Sequence, residues 1–144
     1  GWATGPAALV QAMIGAKQFL TYTSGSPLQP AIAHALGAED AYFDDLRVQM
    51  QSQRDLLCAG LAEIGFEVYV PEGTYFATTD ITPLGFSDGV EFCRALPERA
   101  GVVAIPHQVF YDHVDVGRPL VRWAFCKQPQ VIEEALNRLS VLRT

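Results

Sequence analysis

Leu57-Cys58-Ala59-Gly60-Leu61-Ala62-Glu63-Ile64-Gly65-Phe66-Glu67-Val68-Tyr69-Val70 is where the chain changes its period, and that change sets the fold class. Up to Ile64 the apolar residues keep helical spacing, and after Gly65 they alternate. Reading back from Ile64, the residues Phe43, Leu46, Met50, Leu57, Leu61 and Ile64 recur at three, four or seven positions, which is one face of a helix. The helix is expected to begin at Glu39, where Glu39, Asp40, Asp44 and Asp45 suit the positive end of the helix dipole, and to stop at Gly65. At 1.5 Å per residue it would run roughly 35–40 Å, longer than a compact body of this size needs, so it reads as a strut.

Reading forward, Phe66–Val70 and Thr74–Ile81 are two strands separated by Pro71-Glu72-Gly73, the second rich in β-branched and aromatic residues. Asp88 and Glu91 cap a helix to about Leu96. Gly101-Val102-Val103-Ala104-Ile105 is a buried strand closed by Pro106, and Leu120–Cys126 is a fourth strand. Pro129 opens a last helix with Val131, Ile132, Ala135, Leu136, Leu139 and Leu142 inward; its acids come early and its bases late. The sum is a long helix followed by β-β-α-β-β-α, an α/β sandwich with helices on one face of a small sheet. Before the strut, Pro6 introduces a helix to Phe19, a turn-rich loop follows from Thr21 to Pro30, and a short helix from Leu28 to Leu36 ends at Gly37. The boundary is placed after residue 36.

The 144 residues suffice for one well-cored domain and are few for two. With 49% hydrophobic residues, the apolar content can offset the ordering entropy, which argues against disorder. Sixteen acids against ten Lys and Arg give a net charge of -6 with no basic stripe, which argues against nucleic acid or an anionic membrane as partner. No apolar run reaches the length of a membrane span. Cys58, Cys93 and Cys126 lie far apart without a CxxC pair, so reduced thiols on apolar faces and a cytoplasmic location are expected. Gly1-Trp2-Ala3-Thr4-Gly5-Pro6 reads like a strand and turn from the middle of a longer chain.

Arg122 is the first candidate for chemistry, a guanidinium in an otherwise apolar strand. Alternation leaves two readings open: an outward-facing edge arginine, or a fork held to grip an anion. His107-Gln108-Val109-Phe110-Tyr111-Asp112-His113-Val114-Asp115 contains metal-ligand types without a ligand spacing, and a solvated loop accounts for it better than a metal site. No nucleophile elbow, dinucleotide fingerprint or phosphate loop is present. The only lysines are Lys17 and Lys127, for which solvation is the default. These residues offer a candidate anion clamp and no catalytic set.

Three stretches carry a family resemblance. They are Gly1–Pro6, then Lys17-Gln18-Phe19-Leu20-Thr21-Tyr22 with Ser26-Pro27-Leu28-Gln29, and then Gly101–Pro106 through Leu120–Cys126. In this order the chain resembles, over essentially its whole length, the C-terminal third of the fold type I, pyridoxal-phosphate-dependent aminotransferases of class I and II. Pro71–Phe76, Glu91–Pro97 and Phe125-Cys126-Lys127 look most like the bacterial N-succinyldiaminopimelate branch of lysine biosynthesis, beside the kynurenine, glutamine and methionine aminotransferases.

The resemblance implies that residues 1–36 are the tail of a large cofactor domain and 37–144 a small C-terminal domain with its linking helix. It implies that Arg122 binds the substrate's α-carboxylate and that Tyr75 or Phe76 touches the substrate. The segment from Tyr22 to Gln29 would approach the active site of the second subunit in a homodimer, and His107–Asp115 would lie near the substrate. The lysine that binds the cofactor would lie about ten residues before Gly1, so no residue here is expected to bind pyridoxal phosphate or perform catalysis, and the chain alone would be inactive. A β-lyase or racemase on the same fold stays open, as does a non-catalytic ligand-binding or association module. A reading frame continuing upstream with such a lysine favours the enzyme; a start codon near Gly1 favours the module.

Overall fold

The computed structural model describes residues 2–23 and 25–143. The chain divides into two compact units, residues 1–42 and 43–144. In the first unit, α1 (Ala7–Leu20) follows Pro6, which stands just outside the helix, and α2 (Leu28–Leu36) ends on Gly37. Neither helix has a buried residue. Residues 2–6 carry no regular structure, in place of the expected opening strand. With no strand among the described residues of this unit, an extended segment there has no sheet neighbour to pair with.

The helix α3 (Asp40–Ile64) starts in the first unit and enters the second. There its face at Leu57, Leu61 and Ile64 is buried as the spacing predicts. Two further residues share that face, Gln53 and Cys58. Gln53 fills the seven-residue gap between Met50 and Leu57, and its Oε1 is buried without a hydrogen-bond partner among the described residues.

The sheet has four antiparallel strands in the order β1-β2-β4-β3: β1 (Glu67–Tyr69), β2 (Phe76–Asp80), β3 (Ile105–Pro106) and β4 (Leu120–Ala124). The register pairs Phe76 with Ala124, Thr78 with Arg122, Asp80 with Leu120, and Ile105 with Arg122. On β2 and β4 every second residue (Ala77, Thr79, Val121, Trp123) is buried, and the residues between are half-buried. The buried face meets Leu61 of α3, Leu96 of α4 (Gly89–Ala100) and Ile132 of α6 (Pro129–Leu139) in one apolar core. Burial of each such aliphatic side chain contributes about 1.5–3 kcal/mol. Phe66 sits edge-on to Trp123 at 5.5 Å and to Phe92 at 6.2 Å, and the Trp123 indole N–H donates to Thr79 Oγ1 at 2.9 Å inside the core. The helices α3, α4 and α6 thus pack on one side of the sheet, as expected.

Several element limits differ from the sequence reading. The helix α4 runs past Pro97 to Ala100 and stops at Gly101, whose positive φ of 64° makes the left-handed cap. Leu96 and Ala100 are buried, and their burial outweighs the one backbone bond that Pro97 removes. Because Gly101 belongs to that cap, the expected strand from Gly101 shrinks to Ile105–Pro106. The strand β4 ends at Ala124, short of Cys126, which is exposed. Cys58 and Cys93 do lie against the core, where burial pushes the Cys93 thiol up to about 11. Val131 is 53% exposed, so it is not part of the inward face of α6. Among the described residues, no helix is long and apolar enough to cross a membrane.

Candidate functional site

The side of the sheet away from the helices carries the polar chemistry, and Arg122 stands near its centre. As the middle residue of β4, Arg122 projects to this side while Val121 and Trp123 project into the core. Its guanidinium carbon lies 4.0 Å from the centroid of Phe76 and 4.5 Å from that of Phe110, so one ring comes from β2 and the other from the turn after β3. Arg122 Nε is buried with no hydrogen-bond partner, and no carboxylate among the described residues pairs with this arginine. By contrast Arg47, Arg54, Arg118, Arg138 and Arg143 each have an acid within 4 Å. Arginine does not deprotonate in proteins, so the site keeps a full positive charge.

The turn His107–Phe110 and the short helix α5 (Val114–Gly117) replace the expected solvated loop. The structure draws the start of this turn, His107 and Gln108, inward. His107 is half-buried, with Nε2 at 2.9 Å from Thr78 Oγ1, and Phe110 covers Arg122. Burial, and after it the Arg122 charge, holds the His107 imidazole below its ordinary value. Between them Gln108 donates to Asp88 Oδ1 at 3.2 Å and so ties the turn to the start of α4. Asp88 also accepts from Val90 N and Glu91 N, and Arg118 lies 3.8 Å from its second oxygen.

Tyr75 and Phe76 are placed differently from each other. Phe76 is the lower ring of the arginine clamp. Tyr75 precedes β2, is 49% exposed, and tilts against Phe76 at 4.5 Å between centroids. Both follow Thr74, whose φ of 64° is unusual for a β-branched residue and whose Oγ1 accepts from the amides of Tyr75 and Phe76. Thr78 enters the site without having been singled out, because only the strand register places it opposite Arg122; His107 belongs to the segment expected near the substrate, and its contact with Thr78 is what the sequence did not show. An apolar cleft of about 550 Å3 runs along α6 on the helical side; its lining includes Trp123 and Lys127 and excludes Arg122.

The Arg122 fork can donate to a carboxylate, and the residues beside it, Thr78 and His107, offer no amine to hold pyridoxal phosphate covalently. Lys17 is exposed and its Nζ is hydrogen-bonded to Thr21 Oγ1 at 2.7 Å, and Lys127 is exposed beside α6. Within the second unit, Lys127 is not part of the Arg122 cluster. The segment expected to approach a second subunit, Tyr22 to Gln29, includes Ser24, and the opening motif includes Gly1; both residues lie outside the described ones.

Residues 1–139 match the family model "Aminotransferase class I and II". A probable N-succinyldiaminopimelate aminotransferase of Mycobacterium tuberculosis is 49% identical over 99% of this chain and 38% of its own length. The methionine aminotransferase of Escherichia coli is 33% identical over 99% of the chain and 36% of its own. Among solved structures, the N-succinyldiaminopimelate aminotransferase of M. tuberculosis superposes with a TM-score of 0.87 at 52% identity, covering 99% of this chain and 37% of that one. The chain thus spans under two fifths of the relatives it matches, and it belongs to the class I and II aminotransferases, with the fold expected from the sequence.

Proposed function

We propose that this chain supplies the carboxylate-anchoring part of a pyridoxal-phosphate-dependent aminotransferase, which moves an amino group between an amino acid and a 2-oxo acid. The observation that carries the reading is Arg122, an unpaired guanidinium clamped between two aromatic rings on the open side of the sheet. A planar fork matches a carboxylate with two parallel hydrogen bonds, which fixes both the position and the rotation of the bound molecule. The rings pack against the fork without using its hydrogen-bond donors. Tyr75, exposed and next to the lower ring, would touch the side chain of the bound amino acid, and Phe76 would contribute from beneath. We assign the cofactor and the lysine that binds it to the rest of the whole protein, with residues 1–36 as the tail of the large domain and 37–144 as the small domain.

The 49% identity to the M. tuberculosis relative supports N-succinyldiaminopimelate, and with it lysine biosynthesis, as the substrate reading for the whole protein. A cytoplasmic homodimer is part of the same reading, supported by the unpaired thiols and by the apolar residues that α1 and α2 leave exposed. Replacing Arg122 by alanine in the whole enzyme tests the assignment. Loss of a charged, bidentate contact is worth about 2–5 kcal/mol, so kcat/KM should fall by about 30-fold or more, chiefly through KM. Kinetics within about twofold of wild type would overturn it.

A further inference from the structure

One ionisable group beside Arg122 has no part in anchoring a carboxylate as described so far. His107 begins the turn that ends in Phe110, and its Nε2 lies 2.9 Å from the hydroxyl of Thr78, the residue directly across the ladder from Arg122. Thr78, His107 and Phe110 therefore form a continuous support from β2 to the upper ring of the clamp. We propose that His107 is a positioning residue of this anion site, holding the flank of Arg122 through Thr78 and taking up a proton when a carboxylate docks on the guanidinium. This inference rests on the reading of Arg122 as the carboxylate anchor.

The argument is electrostatic and uses the geometry on both sides of the imidazole. Without an anion, a second positive charge beside Arg122 is disfavoured, and half-burial of the ring disfavours it further. A docked carboxylate cancels the arginine charge, so the imidazolium becomes the better form. Proton uptake and anion binding then strengthen one another by the same factor, as linkage requires. The hydrogen bond to Thr78 survives the change, because a hydroxyl accepts from an imidazolium as readily as it donates to a neutral ring.

The remaining charged groups around the turn are otherwise engaged. On α4, Asp88 accepts from Val90, Glu91 and Gln108; at α5, Asp115 pairs with Arg118 at 2.9 Å. On β2, Asp80 accepts from Thr82 N at 2.7 Å, and Tyr111 presents its ring to His107 at 6.2 Å. Arg122 is the formal charge that acts on His107.

Calorimetric titration of the cofactor-loaded whole protein with 2-oxoglutarate tests the coupling, run at pH 6.5 in two buffers of different ionisation heat to count protons. Wild type should take up a fraction of a proton more than His107→Gln, a variant that keeps a hydrogen-bonding group and does not titrate. Between pH 8 and pH 6 the wild-type affinity should gain about 3- to 10-fold relative to that variant, since one unit of pKa change is tenfold in binding. Equal proton uptake in the two proteins, with Arg122→Ala still abolishing binding, overturns the role of His107 alone. Undiminished binding by Arg122→Ala, or no binding by wild type, overturns the anchor reading and this inference with it.

Discussion

Arg122 carries a full charge with aromatic rings on either side of it where an ordinary buried arginine would have an acid. Each cation–π contact is worth about 0.5–1 kcal/mol at a partly exposed site, so Phe110→Leu should raise KM about 2- to 5-fold while leaving kcat close to wild type. An unchanged KM would show that the upper ring does not hold the guanidinium. On the other side of the same strand, Trp123 donates to Thr79 with both groups in the core. Thr79→Val keeps the shape and leaves the indole N–H unpaired, which should cost about 1–3 kcal/mol in urea denaturation. At this scale the sequence made Arg122 visible, because a lone guanidinium interrupts an apolar strand. Thr78 and His107 were not visible as partners, since a contact across 29 positions follows from strand register, which alternation does not specify.

At the scale of elements, the long helix α3 and the four strands were legible because period and turn residues agreed there. The limits that shifted were settled by tertiary burial: α4 passes Pro97 because Leu96 and Ala100 reach the core, and β3 is short because Gly101 caps α4. The contact of α3 with α6 rests on Gly60, where an added Cβ would lie 2.3 Å from Leu136 Cδ1 and 2.9 Å from its Cγ. Gly60→Ala must displace the whole Leu136 side chain and should destabilise by about 1–3 kcal/mol, read from the shift of the urea midpoint. At the start of α4, the amides of Glu91 and Val90, with Gln108 and Arg118, hold the Asp88 carboxyl below its ordinary value. Such a group stabilises the fold above its unfolded pKa, and the contribution fades as pH falls through the folded one. The urea-midpoint difference between wild type and Asp88→Asn should therefore be largest near neutrality and shrink progressively below about pH 4. A difference constant from pH 7 to pH 3 would refute the role of that charge. Because Gln108 ties the turn to Asp88, loosening this cap should also weaken the arginine clamp.

For the molecule as a whole, the two units differ in how much they bury. The second has a continuous core, whereas α1 and α2 bury nothing and leave Phe19 84% and Leu20 81% exposed. Apolar surface of this kind tends to associate, so the 144-residue chain on its own should form dimers or larger species by light scattering. A clean monomer at high concentration would contradict that. In the sequence, the helices before residue 37 add nothing to the β-β-α-β-β-α pattern; the structure divides the chain after residue 42, within α3. The central claim is that this chain anchors the substrate while another part of the protein binds the cofactor. It is tested most directly by borohydride reduction of the whole enzyme loaded with pyridoxal phosphate, followed by peptide mapping of the labelled lysine. The account predicts one stoichiometric label on a lysine outside these 144 residues; a stoichiometric label on Lys17 or Lys127 would contradict it.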